Sequence, residues 1–188
     1  YALMIDEMEK RRRMRDLYLA GRLQKSLTDR MSSSQLPIRL AHLNMPAISV
    51  TGDYLDLIEL PGRRVAFFLG DVSGHGLGTG YLVSTIRSIV HSHLSAGRGL
   101  IETVEILNHF LIDRYQGNEF LTMFSFILDT RNGEIEYVNA AHPGPYIKSP
   151  AGPLERLSDS QRLLGVLLRP YHSRRITIKA GQRIFLYS

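Results

Sequence analysis

The feature that most constrains this chain is the apolar run Val65-Ala66-Phe67-Phe68-Leu69, which ends abruptly in Gly70-Asp71-Val72-Ser73-Gly74-His75-Gly76. A short continuous apolar run bounded by turn residues reads as a buried strand. A carboxylate just past such a strand, in a loop where glycines let backbone carbonyls come close, suits a hard divalent cation, which takes oxygen ligands. Upstream lies a second acidic stretch, Thr51-Gly52-Asp53-Tyr54-Leu55-Asp56. Val50 to Leu60 reads as one arm of a hairpin, Pro61-Gly62-Arg63 as its turn and Arg64 to Leu69 as the returning arm, because Pro and Gly favour the reversal. A register that folds Asp53 back toward Asp71 puts two carboxylates at one end of paired strands, and two close anions disfavour each other's charge unless a cation lies between them. Taken without the rest of the chain, acidic residues at strand ends also read as plain turns.

The remainder alternates helical and hairpin patterns. Residues 1–30 contain no proline and only Gly21, with Leu3, Met4, Met8, Leu17, Leu23 and Leu27 at roughly helical spacing. This predicts a linker helix whose narrow apolar stripe pairs with another helix, by homodimerisation for example. Ser32-Ser33-Ser34 and Pro37 break it, so residues 31–188 are expected to form the main domain, with a first strand over 38–43. Leu82, Ile86, Ile89, Val90 and Leu94 predict one helix, stopped by Gly97-Arg98-Gly99, and Val104, Leu107, Leu111 and Ile112 predict a second from Leu100 to about Tyr115. Leu121 to Thr130 and Ile135 to Ala140 flank Asn132-Gly133, a strong hairpin signal. Two more reversals are expected, at Ser149 to Pro153 and at Lys179 to Gln182, the latter pairing Ile176-Ile178 with Ile184-Tyr187. Many hairpins around a central helix pair predict an α+β fold with antiparallel sheets.

Composition removes several function classes. The chain has 188 residues, 44% of them hydrophobic, enough for one core. It has no cysteine, which excludes a cysteine-nucleophile phosphatase, thiolate zinc sites and disulfides, and fits a reducing cytoplasm. No apolar run is long enough to insert in a membrane. The net charge of +5 is mild. Its densest basic run, Lys10-Arg11-Arg12-Arg13, is flanked by Asp6, Glu7, Glu9 and Asp16 and reads as a solvated helix face, so no nucleic-acid role is expected. The start at Tyr1 and the stop at Ser188, inside a strand-like run, are expected of a piece of a longer protein.

The string Gly70-Asp71-Val72-Ser73-Gly74-His75-Gly76, with Gly52-Asp53-Tyr54-Leu55-Asp56 before it, resembles the SpoIIE-like (RsbU-like) bacterial branch of the metal-dependent PPM, or type 2C, serine/threonine protein phosphatases. The resemblance continues through Phe120-Leu121-Thr122-Met123-Phe124, Tyr137 to Pro145, Leu164-Gly165-Val166 and Ile184 to Ser188. It implies two antiparallel β-sheets packed as a sandwich, helices on the outer faces, and metals at one end. It implies that Asp71 bridges two Mn²⁺ or Mg²⁺ ions, that the Val72 carbonyl adds a ligand, and that Asp53 joins directly or through water, with Asp56 a more remote candidate. Water activated by the ions would then attack phosphorus in line, with no covalent phospho-enzyme. The implied partners are a phosphorylated protein substrate of the anti-sigma-factor antagonist type and an upstream sensor or receiver domain in a bacterial cytoplasm.

Other residues carry competing readings. His75 is the candidate acid for the serine leaving group, since imidazole titrates near neutral pH. It lies two residues further from the aspartate than the histidine of the eukaryotic branch, and a loop-shaping role competes. His142, in Asn139-Ala140-Ala141-His142-Pro143, departs from the family pattern by an alanine in place of glycine and is expected to stabilise a turn. His91 and His93 read as ordinary surface or cap residues, and Ser73 and Ser84 lack nucleophile-elbow or triad spacing. Gly74 to Gly80 lacks the Gly-Lys-Ser/Thr of a P-loop. The family's further metal-binding aspartates, the first following the last strand, have no counterpart before Ser188. Activity is therefore expected only if the longer protein supplies these ligands, and the competing functional class is a catalytically inactive phosphatase-like module that binds a regulatory partner.

Overall fold

The computed structural model describes residues 7–12, 14–15, 18–19, 21–22, 37–43 and 50–188. Ten elements follow in order: β1 (Asp53–Leu60), β2 (Arg64–Val72), α1 (Leu77–Ser95), α2 (Leu100–Tyr115), β3 (Leu121–Asp129), β4 (Glu134–Ala140), β5 (Tyr146–Lys148), β6 (Leu154–Arg156), β7 (Arg174–Thr177) and β8 (Arg183–Phe185). They build a five-stranded sheet of order β1-β2-β3-β4-β7 and a three-stranded sheet of order β6-β5-β8. Every strand pair is antiparallel.

Strand alternation sorts the apolar residues of the large sheet into two cores. On one face, Tyr54, Ala66, Phe68, Val72, Met123 and Val138 pack against Ile86 and Val90 of α1 and Val104, Leu107 and Leu111 of α2. On the other, Val65, Phe67, Leu69, Phe124, Phe126 and Tyr137 pack with Ile176, Ile184 and Leu186. Phe67 stacks on Phe126 at 5.3 Å and Phe124 on Tyr137 at 5.4 Å between ring centroids. The molecule is thus a sandwich of two antiparallel sheets, with α1 and α2 on the outer face of the larger one. Because β2 and β3 are covered on both faces, their sequences are nearly continuous apolar runs rather than alternating ones.

The helices begin at glycines. Gly76 caps α1 with φ 90°, a conformation open to glycine and strained for other residues. The Glu102 carboxylate accepts the Gly99 N–H at 2.9 Å at the start of α2.

Two expectations change. The final reversal is not a hairpin: β7 pairs with β4 in the large sheet, whereas β8 pairs with β5 in the small one. The connection around Lys179 to Gln182 therefore carries the chain from one layer of the sandwich to the other. The backbone over 38–43 forms no strand, although Ile38 packs on the inter-sheet core. In the N-terminal segment the described residues 7–12, 14–15, 18–19 and 21–22 are helical. Leu3, Met4, Leu17, Leu23 and Leu27 of the expected pairing stripe lie outside the described residues. Among the described residues no helix is long and apolar enough to cross a membrane.

Candidate metal centre

The β1–β2 hairpin pairs Asp53 directly with Asp71, and β2 pairs Asp71 with Thr122 of β3. Residues directly opposite in antiparallel strands share a face, with Cβ atoms about 4.5–5.5 Å apart. Asp53, Asp71 and Thr122 thus form a polar row across three strands at one end of the large sheet, on the side that faces the small sheet. The hairpin end is fixed by the Val72 N–H, which donates to the Gly52 carbonyl at 3.1 Å.

The two carboxylates are held differently. Asp53 Oδ2 accepts the Thr51 hydroxyl at 3.0 Å, and Oδ1 accepts the Ser188 hydroxyl at 3.0 Å. Asp71 makes no side-chain hydrogen bond or ion pair among the described residues, and neither carboxylate has a Lys or Arg within salt-bridge distance there. Asp71 is exposed, yet the desolvation its surroundings impose, then the facing Asp53 charge, raise its carboxyl above the ordinary aspartate value. Gly52 explains how the space stays open. A Cβ added at Gly52 would lie 2.7 Å from the Val72 carbonyl oxygen and 3.1 Å from Asp71 Oδ1. Two oxygens named from the sequence therefore converge on a space that any side chain at position 52 would fill.

This donor set fits a hard divalent ion. Asp53, Asp71 and the Val72 carbonyl offer oxygen only, the preference of Mg²⁺ and Mn²⁺, and Mg²⁺ characteristically retains several waters. Among the described residues no group of three or more His, Cys, Asp or Glu side chains is gathered to hold a metal, so these chains form an open platform rather than a closed cage.

Of the other sequence-derived residues, His75 is exposed on the loop between β2 and α1, flanked by Gly74 (φ 88°) and Gly76 (φ 90°). Ser73 anchors that loop. Its hydroxyl donates to Glu119 Oε2 at 2.6 Å and accepts the Phe120 N–H at 2.9 Å. His142 does stabilise a turn, since its N–H donates to Asn139 Oδ1 at 2.9 Å, but its ring also reaches the site: Nδ1 is hydrogen-bonded to Thr122 Oγ1 at 3.0 Å. Ala141, beside it, takes the left-handed φ of 56° that explains glycine in the family pattern.

Asp56 is not part of the row. It is fully buried on the opposite face of β1, where Oδ1 pairs with Arg87 at 3.1 Å and Oδ2 meets His91 Nε2 at 2.7 Å, both on α1. The Leu57 N–H and the Tyr54 hydroxyl also donate to it, at 2.9 and 3.2 Å. Burial, then the Asp56 charge, push the Tyr54 phenol well up, keeping it a donor. A strand has a period of two, so residues three apart face opposite ways. His91 is accordingly a partner in this internal network rather than an ordinary surface residue. Local sequence pattern does not point to Thr122, Glu119, Arg87 or Ser188, because their contacts come from long-range pairings.

The sandwich of two antiparallel sheets with helices outside matches the fold of PP2C phosphatase domains. The family model described as Stage II sporulation protein E (SpoIIE) matches residues 61–188, well over half of the chain, and the chain belongs to that family. It is 23% identical over 180 residues to the phosphoserine phosphatase RsbP of Bacillus subtilis; the match covers 93% of this chain but only 44% of that protein's length. The SiaA-PP2C domain of Pseudomonas aeruginosa superposes with a TM-score of 0.79 at 17% identity, over 99% of this chain and 73% of that one. RsbX in complex with magnesium superposes with a TM-score of 0.62 at 15% identity, over 76% of this chain and 68% of that one. At such identities these neighbours establish the fold alone.

Proposed function

We propose that this chain is the catalytic domain of a Mn²⁺- or Mg²⁺-dependent phosphatase that hydrolyses phosphoserine or phosphothreonine on a bacterial signalling protein. The observation that carries this reading is the directly opposed pair Asp53 and Asp71, without a protein cation among the described residues, beside the opening left by Gly52. Asp53, Asp71 and the Val72 carbonyl would hold the divalent ions. Bound there, two such ions supply Lewis acidity, which neutralises charge on the transferring phosphoryl group and lowers the pKa of coordinated water. We assign His75, exposed on the loop between Gly74 and Gly76, the transfer of a proton to the departing serine oxygen. The Ser73–Glu119 bond keeps that loop against Phe120. Asp56 belongs to the attachment of α1 rather than to the ions.

Similarity to a phosphoserine phosphatase, RsbP, supports a phosphoserine substrate; on the family resemblance we assign it to a phosphorylated anti-sigma-factor antagonist in a partner-switching circuit of the cytoplasm. An upstream sensor or receiver domain, and homodimerisation through the N-terminal helix, complete the proposal. The test is Mn²⁺-dependent release of phosphate from a phosphoserine protein, lost in Asp71→Asn with the fold intact. One observation favours a second reading, a regulator-binding module without catalysis: no gathering of three or more metal-ligating side chains exists among the described residues. Absence of hydrolysis with either metal, in a protein that still binds a regulator, would establish that reading instead.

A further inference from the structure

His142 is 4% exposed, and its ring makes one side-chain hydrogen bond. Nδ1 is hydrogen-bonded to the Thr122 hydroxyl at 3.0 Å, while Nε2 is buried with no hydrogen-bond partner among the described residues. The backbone that carries the ring is fixed as well. Asn139 Oδ1 accepts the His142 N–H at 2.9 Å, and Ala141 adopts φ 56° to make the turn. Burial lowers the ring's pKa, opposed by the Tyr187 backbone and the Asp53 charge. Thr122, for its part, stands directly opposite Asp71 in the strand register. A neutral ring carrying its proton on Nε2 leaves Nδ1 to accept the Thr122 O–H. The hydroxyl oxygen then presents its free lone pairs to the Asp71 side of the row.

We infer that His142 is a positioning residue for the cation site. It fixes the Thr122 hydroxyl so that its oxygen joins Asp53 and Asp71 as a further acceptor for a divalent ion, in direct contact or through the ion's hydration shell. This inference rests on the proposed cation site and adds two residues to it. A group orienting a ligand typically contributes a factor of 10–100 in metal affinity.

The experiment is a Mn²⁺ titration of the whole chain, read by the electron paramagnetic resonance signal of free manganese, with urea denaturation of the metal-free proteins alongside. Thr122→Val and His142→Phe each weaken Mn²⁺ binding about 10-fold. Thr122→Ser, which keeps the hydroxyl, and His142→Asn, whose amide oxygen can stand near the Nδ1 position, stay within about 3-fold of the parent. The Thr122→Val/His142→Phe double variant binds no more weakly than either single one, because both remove the same hydrogen bond. Unchanged affinity in Thr122→Val, with or without a lower urea midpoint, overturns the inference, as does an additive double variant. Asp71→Asn run in parallel separates the two levels. If it binds Mn²⁺ like the parent, the cation site itself is wrong and the inference falls with it; if it loses Mn²⁺ while Thr122→Val keeps it, only the inference falls.

Discussion

Asp53 and Asp56 lie three residues apart on one strand, and the molecule treats them oppositely. Asp56 is fully buried and answered entirely by protein: Arg87, His91, the Tyr54 hydroxyl and a backbone N–H. Asp53 faces a second carboxylate, Asp71, and its described partners are hydroxyls, which do not cancel charge. A buried carboxylate that is paired and hydrogen-bonded is structural: it pins α1 to β1, and removing a partner leaves charge stranded in the core. An opposed pair at an open edge, lacking a protein cation among the described residues, has the electrostatics of a site awaiting an external one. The same residue type on the same strand thus separates into anchor and proposed ligand through strand parity alone.

The contrast breaks most sharply at Asp71. Asp71→Asn should lower Mn²⁺-dependent phosphoserine hydrolysis more than about 100-fold, beyond what loss of an orienting group alone produces, while circular dichroism stays that of the parent. Asp56→Asn, by contrast, should leave the Mn²⁺ affinity unchanged; equal loss of affinity in both variants would erase the distinction. On the anchor side, Arg87→Met should destabilise the fold by about 3 kcal/mol in urea unfolding, the lower end for a broken buried pair because Arg87 retains some solvent contact. It should leave the Mn²⁺ dissociation constant untouched. Ala141→Gly should raise stability by about 0.5–1 kcal/mol, since a left-handed residue without a Cβ is relieved of its steric penalty.

The smallest effect is on pH dependence, because solvent screens the exposed Asp71. Its carboxyl is raised in the fold, so the folded chain holds that proton more tightly than the unfolded one, whose aspartate titrates near about 3.9. Metal-free stability should therefore decline as pH rises from there through the folded value. Chelator-treated parent protein should show this slope in urea midpoints, and Asp71→Asn should lack that component.

Much of the fold could be read from local pattern. Pro61-Gly62 and Asn132-Gly133 mark tight turns, and their hairpins carry register with them, which is why the Asp53–Asp71 pairing was legible. The two helices were legible from their apolar stripes and glycine stops. What escaped depends on distant partners. β7 and β8 look like two arms of a hairpin, yet each is captured by a different sheet, through β4 and β5. The family-like string carries Asp56 along with Asp53 as a more remote candidate, yet the odd spacing places it on the other face. Thr122 and His142 meet only because β2, β3 and the turn after β4 come together, so no spacing rule announces their contact.

The most direct measurement is anomalous diffraction from crystals of the chain soaked in Mn²⁺. The predicted result is manganese density between the carboxylates of Asp53 and Asp71, within coordinating distance of the Val72 carbonyl. Full manganese occupancy elsewhere with none between that pair, or an undisturbed pair in saturating Mn²⁺, would contradict it.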